Sequence, residues 1–236
     1  MHFFLRMLIP EKWWWFGLRA CLYCGSLERQ ADGLCGVCSE DLWSWQSETQ
    51  NLFKHRLQKS LEVYSLFYWV PGQQEVLSRL LHALKGPGGS KLWENYAEEF
   101  WRRHLQSYAE APVPAHLLIP SPSASSERDH AAFFTQGLAA LSGAKIYSCL
   151  KKSAISSQKR KNRAQRLALT LEWGEGFTKA DFLRQSASKK VIFVDDVVTT
   201  GATALAAWKI LGKPRDFAVW SLAHRGLPCG ASMDLI

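Results

Sequence analysis

The stretch with the most chemistry in this chain is VIFVDDVVTTGAT, residues 191–203. An apolar run of strand type delivers two adjacent carboxylates, Asp195 and Asp196, and a Thr/Gly turn then opens a helix-compatible segment, ALAAWKIL. A helix N-terminus offers unpaired backbone N–H groups and a partial positive charge. Gly201 permits close backbone approach, and Thr199, Thr200 and Thr203 add hydroxyl donors, so a phosphate monoester suits the turn. A β-branched side chain at Gly201 would intrude where the phosphate comes closest. The two acids can accept hydrogen bonds from ribose hydroxyls or help to hold a hydrated magnesium ion. Alternatively, the same residues could form no more than a capped turn between strand and helix. Two adjacent acids at the end of a buried strand are costly unless used, which favours the functional reading.

The second constellation is Cys21-x-x-Cys24 with Cys35-x-x-Cys38, two close pairs separated by a short stretch containing Asp32-Gly33. Four thiolates at this spacing can close a tetrahedral zinc site with no position left for water, which makes the expected role structural. The module has little core of its own, so metal binding would supply its folding energy. A redox pair and unliganded core thiols are the alternatives, and Cys149 and Cys229 read as buried small residues.

These groups need elements to position them. The segment DLWSWQSETQNLFKHRLQKSL reads as a polar, helix-compatible connection, which puts a boundary near residue 55. Residues 1–55 then form an N-terminal zinc module and residues 56–236 a larger domain. A strand is expected over 63–70, followed by a helix in QEVLSRLLHALK with Val76, Leu77, Leu80, Leu81 and Leu84 on one face. KGPGG ends that helix, and Lys85 there could meet an anion or simply be solvated. Further strands are expected at HLLIP, KIYSCL, VIFV and FAVWSLA, with a helix over 130–141. Alternating strands and helices imply an α/β fold with a parallel sheet flanked by helices, whose ligands sit at the C-terminal strand ends.

Composition narrows the class. The chain has 236 residues, is 47% hydrophobic and carries a formal charge of +8, so anionic partners are favoured: phosphorylated metabolites, nucleic acid or an acidic membrane surface. Paired cysteines suit metal binding in a reducing, cytoplasmic setting better than a secreted disulfide framework. The opening MHFFLRMLIPEKWWWFGLRA is apolar but interrupted by Arg6, Glu11 and Lys12, so neither a cleaved signal nor stable membrane insertion is expected. Trp13, Trp14 and Trp15 could touch a membrane surface or partner, or pack a short helix onto the protein itself.

Taken together, CLYCG and LCGVC, LHALKG, LIPSP, the basic stretch from Gln158 to Arg166 and VDDVVTTGAT resemble the ComF/GntX family. Its members join a cysteine-rich zinc finger to a type I phosphoribosyltransferase domain. The resemblance implies that this fold binds phosphoribosyl pyrophosphate (PRPP) or another phosphorylated ribose with magnesium. Asp195 and Asp196 would hold the ribose, and Val197, Val198, Thr199, Thr200, Gly201, Ala202 and Thr203 would form the phosphate loop. Ser121, Ser123 and Arg128, after the LIPSP strand, become candidates for the pyrophosphate. The sequence departs from the family at ERDHAAFFTQ, where Arg128 and Gln136 remain of an arginine-rich segment, and Thr199 stands where some relatives carry a carboxylate base. Resemblance to ComF members also implies a competing role in natural competence and DNA uptake, with single-stranded DNA and a helicase as partners. In that role the basic stretch from Lys151 to Arg166 would follow the nucleic-acid backbone, whereas in the enzyme it would close over the pyrophosphate; a solvated loop with no role is the third reading.

Overall fold

The computed structural model describes residues 20–45, 51–57, 61–86, 89–106, 115–123, 129–153 and 171–226. In chain order the elements are α1 (Gly36–Ser44), β1 (Phe53–Leu57), β2 (Leu61–Trp69), α2 (Glu75–Leu84), α3 (Ser90–Gln106) and β3 (His116–Pro120). They continue with α4 (His130–Ser142), β4 (Lys145–Ile146), β5 (Leu150–Lys152), β6 (Leu171–Trp173) and α5 (Lys179–Ser186), and end with β7 (Lys190–Val198), α6 (Ala202–Ile210) and β8 (Phe217–Arg225). The main sheet has the order β1-β2-β8-β7-β3-β4. Only β1 runs antiparallel to its neighbour, and β5 and β6 form a separate antiparallel pair.

Burial on both faces explains the continuous apolar runs in β3, β7 and β8. Leu118, Ile192, Val194 and Trp220 face one layer, where Phe134 and Leu138 of α4 and Trp93, Tyr96 and Phe100 of α3 cover them. Leu117, Ile119, Phe193 and Val219 face the other, where Ala204 and Ala207 of α6 and Phe182 of α5 close the core. From β3 the chain passes through α4 to β4 on one side, and it then returns to place β7 on the other side of β3. Strand order therefore reverses between β3 and β7, and the C-terminal ends of these two strands border the crevice that a doubly wound sheet offers to ligands.

Several elements differ from the sequence expectation. The polar connection after the cysteines is no single linker, because α1 ends at Ser44 and FKHRL forms β1, which pairs with β2 from Phe53↔Ser65 to Leu57↔Leu61. The boundary near residue 55 thus falls inside a strand of the main sheet. KIYSCL divides into β4 and β5, since the Cys149 N–H donates to the Tyr147 carbonyl at 2.9 Å and turns the chain between them. α3 was not anticipated, although Trp93, Tyr96, Ala97 and Phe100 recur at helical spacing and are all buried. The cysteine segment shares its core with the sheet layer: Leu34, Cys35, Cys38 and Leu42 cluster with Leu80, Trp93 and Tyr96, and the Tyr96 hydroxyl donates to the Asp32 carbonyl at 2.8 Å.

Helices α3 and α4 meet at Gly137, where an added Cβ would lie 2.7 Å from the Ala97 Cβ. Gly137→Ala should therefore overpack this crossing and lower stability by about 1–3 kcal/mol in chemical denaturation, despite alanine's better helix propensity. Ala97→Gly in the same chain should recover part of the loss, with a coupling of at least about 0.5 kcal/mol.

Candidate functional site

β7 runs four residues past the expected run, so Asp195 and Asp196 lie within the ladder, opposite β8 from Asp195↔Ser221 to Val198↔His224. Parallel pairing with β8 holds their backbone in place at the C-terminal end of the strand. The Asp196 N–H donates to Asp195 Oδ1 at 3.0 Å, and the Val197 N–H donates to Asp196 Oδ1 at 2.8 Å. Lys85, at the C-terminal end of α2, reaches Asp196 Oδ2 with its Nζ at 2.7 Å. Its place is fixed by the tight return after α2. A Cβ at Gly89 would lie 2.5 Å from the Leu84 carbonyl oxygen, and the Trp93 indole N–H donates to that same oxygen at 3.2 Å.

The environment separates the two acids. Burial, followed by the charge of neighbouring Asp196, pushes the Asp195 carboxyl up to about 8, against a hydrogen bond from Ser121. Asp196 is also partly buried, but the Lys85 ammonium outweighs that cost and holds its carboxyl below the usual range. The pair therefore carries about one negative charge near neutrality, and a second cation or a donor-rich ligand would favour full ionisation.

After β7, Thr199 and Thr200 are exposed, and Gly201 takes φ +71° as the residue before α6. Among the described residues no side chain caps this helix, and the Thr200 hydroxyl makes only a long 3.4 Å contact with the Ala202 N–H. The Thr203 N–H of the first turn thus has no side-chain partner among the described residues, and the Ala202 N–H is held only by the long Thr200 contact, which an anion could replace. The side of Gly201 that a Cβ would occupy is not open to a ligand, however. Leu57 of β1 fills it, and its Cδ1 would overlap the added atom. Glycine is required there for its positive φ and to leave room for Leu57.

Of the other expected residues, Ser121 sits buried at the end of β3, its N–H donating to the Val194 carbonyl at 2.7 Å. Val198 packs into the α6 layer and Val197 against the α3 layer, so their side chains belong to the core. Ser123 is partly exposed beyond β3. Arg128 lies outside the described residues, as do Trp13, Trp14, Trp15, Cys229 and most of the basic stretch, of which Lys151 and Lys152 stand in β5. Sequence reasoning did not foresee His224, which is buried opposite Val198 and stacked on His55 at 4.5 Å. Burial first, then the neighbouring His55, lowers it to about 4, so it stays neutral at pH 7.

At the other end of the chain, the sulfur atoms of Cys21, Cys24, Cys35 and Cys38 all lie within 4.8 Å of one another, and those of Cys24 and Cys35 are 3.6 Å apart. Zinc–sulfur bonds of about 2.3 Å place tetrahedral ligands at comparable separations, so the group can hold a structural zinc ion. The first pair lies on a turn in which the Gly25 N–H donates to the Cys21 carbonyl at 3.0 Å, and Cys35 precedes α1, which carries Cys38. Asp32 locks the approach by accepting from the Leu34 N–H at 3.0 Å and the Ser39 hydroxyl at 2.5 Å. Burial opposes ionisation of Cys21, but the backbone groups of Cys24, Tyr23 and Cys35 outweigh it and bring the thiol down to about 6. Burial drives Cys38 the other way. No described helix is long and apolar enough to cross a membrane.

No family model and no curated protein matches the chain.

Two outcomes follow from these sites. Purified protein should contain one zinc per chain by elemental analysis. Cys24→Ser should abolish it and lower the melting temperature, while Cys149→Ser should keep full stoichiometry, because Cys149 is buried in the opposite core layer. Asp195 favours the folded state in its protonated form. Its contribution is full below about pH 4, falls as pH rises and is gone above about pH 8. Asp195→Asn should therefore raise the melting temperature at pH 7.5 relative to the unsubstituted protein, with the gain shrinking toward pH 4. A variant less stable at both pH values would show that the carboxylate is not under strain.

Proposed function

We propose that the crevice between β3 and β7 binds a phosphorylated ribose such as PRPP, and that the domain is a type I phosphoribosyltransferase-like fold of the ComF/GntX kind. One observation carries the reading. Two adjacent carboxylates lie at the point where strand order reverses, immediately ahead of a helix N-terminus that no described side chain caps. Such a start offers backbone donors to a 5-phosphate, and the acids lie where the hydroxyls of an attached ribose can donate to them.

The oxygen donors of Asp195 and Asp196 suit a hard divalent cation, and the suppressed ionisation of Asp195 is the cost that such an ion would relieve. Magnesium bound with the ligand would neutralise developing charge on the pyrophosphate. The chain's own groups divide the remaining work. Asp196 accepts from the ribose, the N–H groups at Ala202 and Thr203 orient the phosphate, and Ser121 steadies Asp195. Lys85, displaced from Asp196 by the ligand, becomes free to meet the anion. If transfer occurs, the bond between the anomeric carbon and the pyrophosphate oxygen breaks, its electron pair leaves with pyrophosphate, and an acceptor forms the new bond to that carbon.

Titration calorimetry with PRPP and magnesium tests the reading. Asp196→Asn, a nearly isosteric change, should weaken binding about ten- to a hundredfold while leaving the melting temperature within a few degrees. Gly201→Val should bind nothing and also unfold earlier, since it conflicts with both φ and Leu57. Unchanged affinity in Asp196→Asn would place the ligand elsewhere.

A further inference from the structure

A cavity of about 210 Å³ opens between the cysteine segment and the start of α2. Its walls include Tyr23 and Trp45 on the cysteine side and Tyr68, Gln74 and Glu75 on the sheet side, with Asp41 also contributing. None of the described residues lining it is basic, although the whole chain carries a formal charge of +8. The lining side chains themselves offer no cation to a phosphate, although the Arg79 guanidinium stands 5.8 Å from the centre of the Tyr23 ring. Gln74 is only 8% exposed, and its Oε1 is fixed by accepting from the Val70 N–H at 3.0 Å. Its amide nitrogen has no partner among the described residues, so a donor stands at the cavity wall. Trp45, by contrast, is 55% exposed and free to cover an entering group. Glu75 accepts from the Tyr23 hydroxyl at 3.1 Å through one oxygen, which leaves the other for a ligand donor.

We infer that this cavity binds a planar nitrogen heterocycle of nucleobase type, one with an acceptor for the Gln74 amide and an amino group for the carboxylates. Flat aromatic walls suit any base by stacking, and the polar edge then discriminates. The volume matches one ring system, and a sugar and phosphate attached to it would stay outside the opening. A free base and a base in a single strand present the same edge, and the inference is independent of the sugar-phosphate reading because it uses none of that site's residues.

Calorimetric titration of the full chain with cytosine, guanine and thymine is the test. Cytosine or guanine should saturate one site, and thymine, which lacks the amino group, should bind at least about tenfold more weakly. Trp45→Ala, on an exposed position, should weaken binding about tenfold or more through lost stacking. Gln74→Glu keeps the acceptor for Val70 but removes the free donor, and it should reduce binding by a similar factor. Short oligodeoxycytidine and oligothymidine identify the source. Oligodeoxycytidine binding that is tighter than cytosine and sensitive to the same two changes marks a base carried on a strand, and cytosine binding without strand binding marks a free base. Arginine amide binding as tightly as cytosine would overturn the inference in favour of a cation site. It would equally fail if no base or strand bound saturably, or if both variants bound like the parent.

Discussion

Two neighbouring carboxylates cannot both ionise cheaply at the end of a half-buried strand, and much of the surrounding architecture serves to hold them there. β7 supplies the rigid backbone, with β3 and β8 paired on either side. Lys85 compensates one charge, and burial with the like charge keeps a proton on the other. Lys85 reaches Asp196 because α2 stops where it does, and α2 stops at a turn that only glycine at position 89 allows. The layers above and below the acids are largely apolar, with Arg103, His104 and His116 among the buried polar exceptions. A scaffold of this kind tolerates an unfavourable pair of charges because both faces of the sheet are covered elsewhere.

The cysteine segment is integrated with that scaffold. Its buried Leu34, Cys35, Cys38 and Leu42 belong to the same core as α2 and α3, and Tyr96 joins α3 to the turn at Asp32 by a hydrogen bond. A metal held by the four thiols would therefore steady both the segment and the wall against which α2 rests. α2 connects the two regions physically. Its first residue, Glu75, touches Tyr23 next to the cysteines, and the lysine that follows its last residue touches Asp196.

Much of this was legible in the sequence. The cysteine spacing announced a four-thiol cluster because ligand chemistry is local and tolerates few alternatives. HLLIP and FAVWSLA announced buried strands, and QEVLSRLLHALK a helix with its apolar stripe, because burial on two faces or on one leaves a plain period in the residues. The acids and the Thr/Gly turn were visible for the same reason: strand, charge and helix start are contiguous in the chain. FKHRL was hidden, since a short edge strand of alternating burial contains few apolar residues, and KIYSCL misled because one apolar run served two sheets.

Residue types and spacing by themselves determined which groups could do chemistry and which segments had to be buried, because both depend on neighbours along the chain. Tertiary structure alone decided how the groups act on one another. Lys85 lies 111 positions from Asp196, and no local pattern distinguishes a solvated lysine at a helix end from one that neutralises a carboxylate at 2.7 Å. Leu57 against Gly201, His55 on His224, and the cavity shared by Trp45 and Gln74 likewise join residues far apart in the chain. Such contacts arise from the order in which strands pair, and that order is set by the packing of the whole sheet, which no short window of sequence contains.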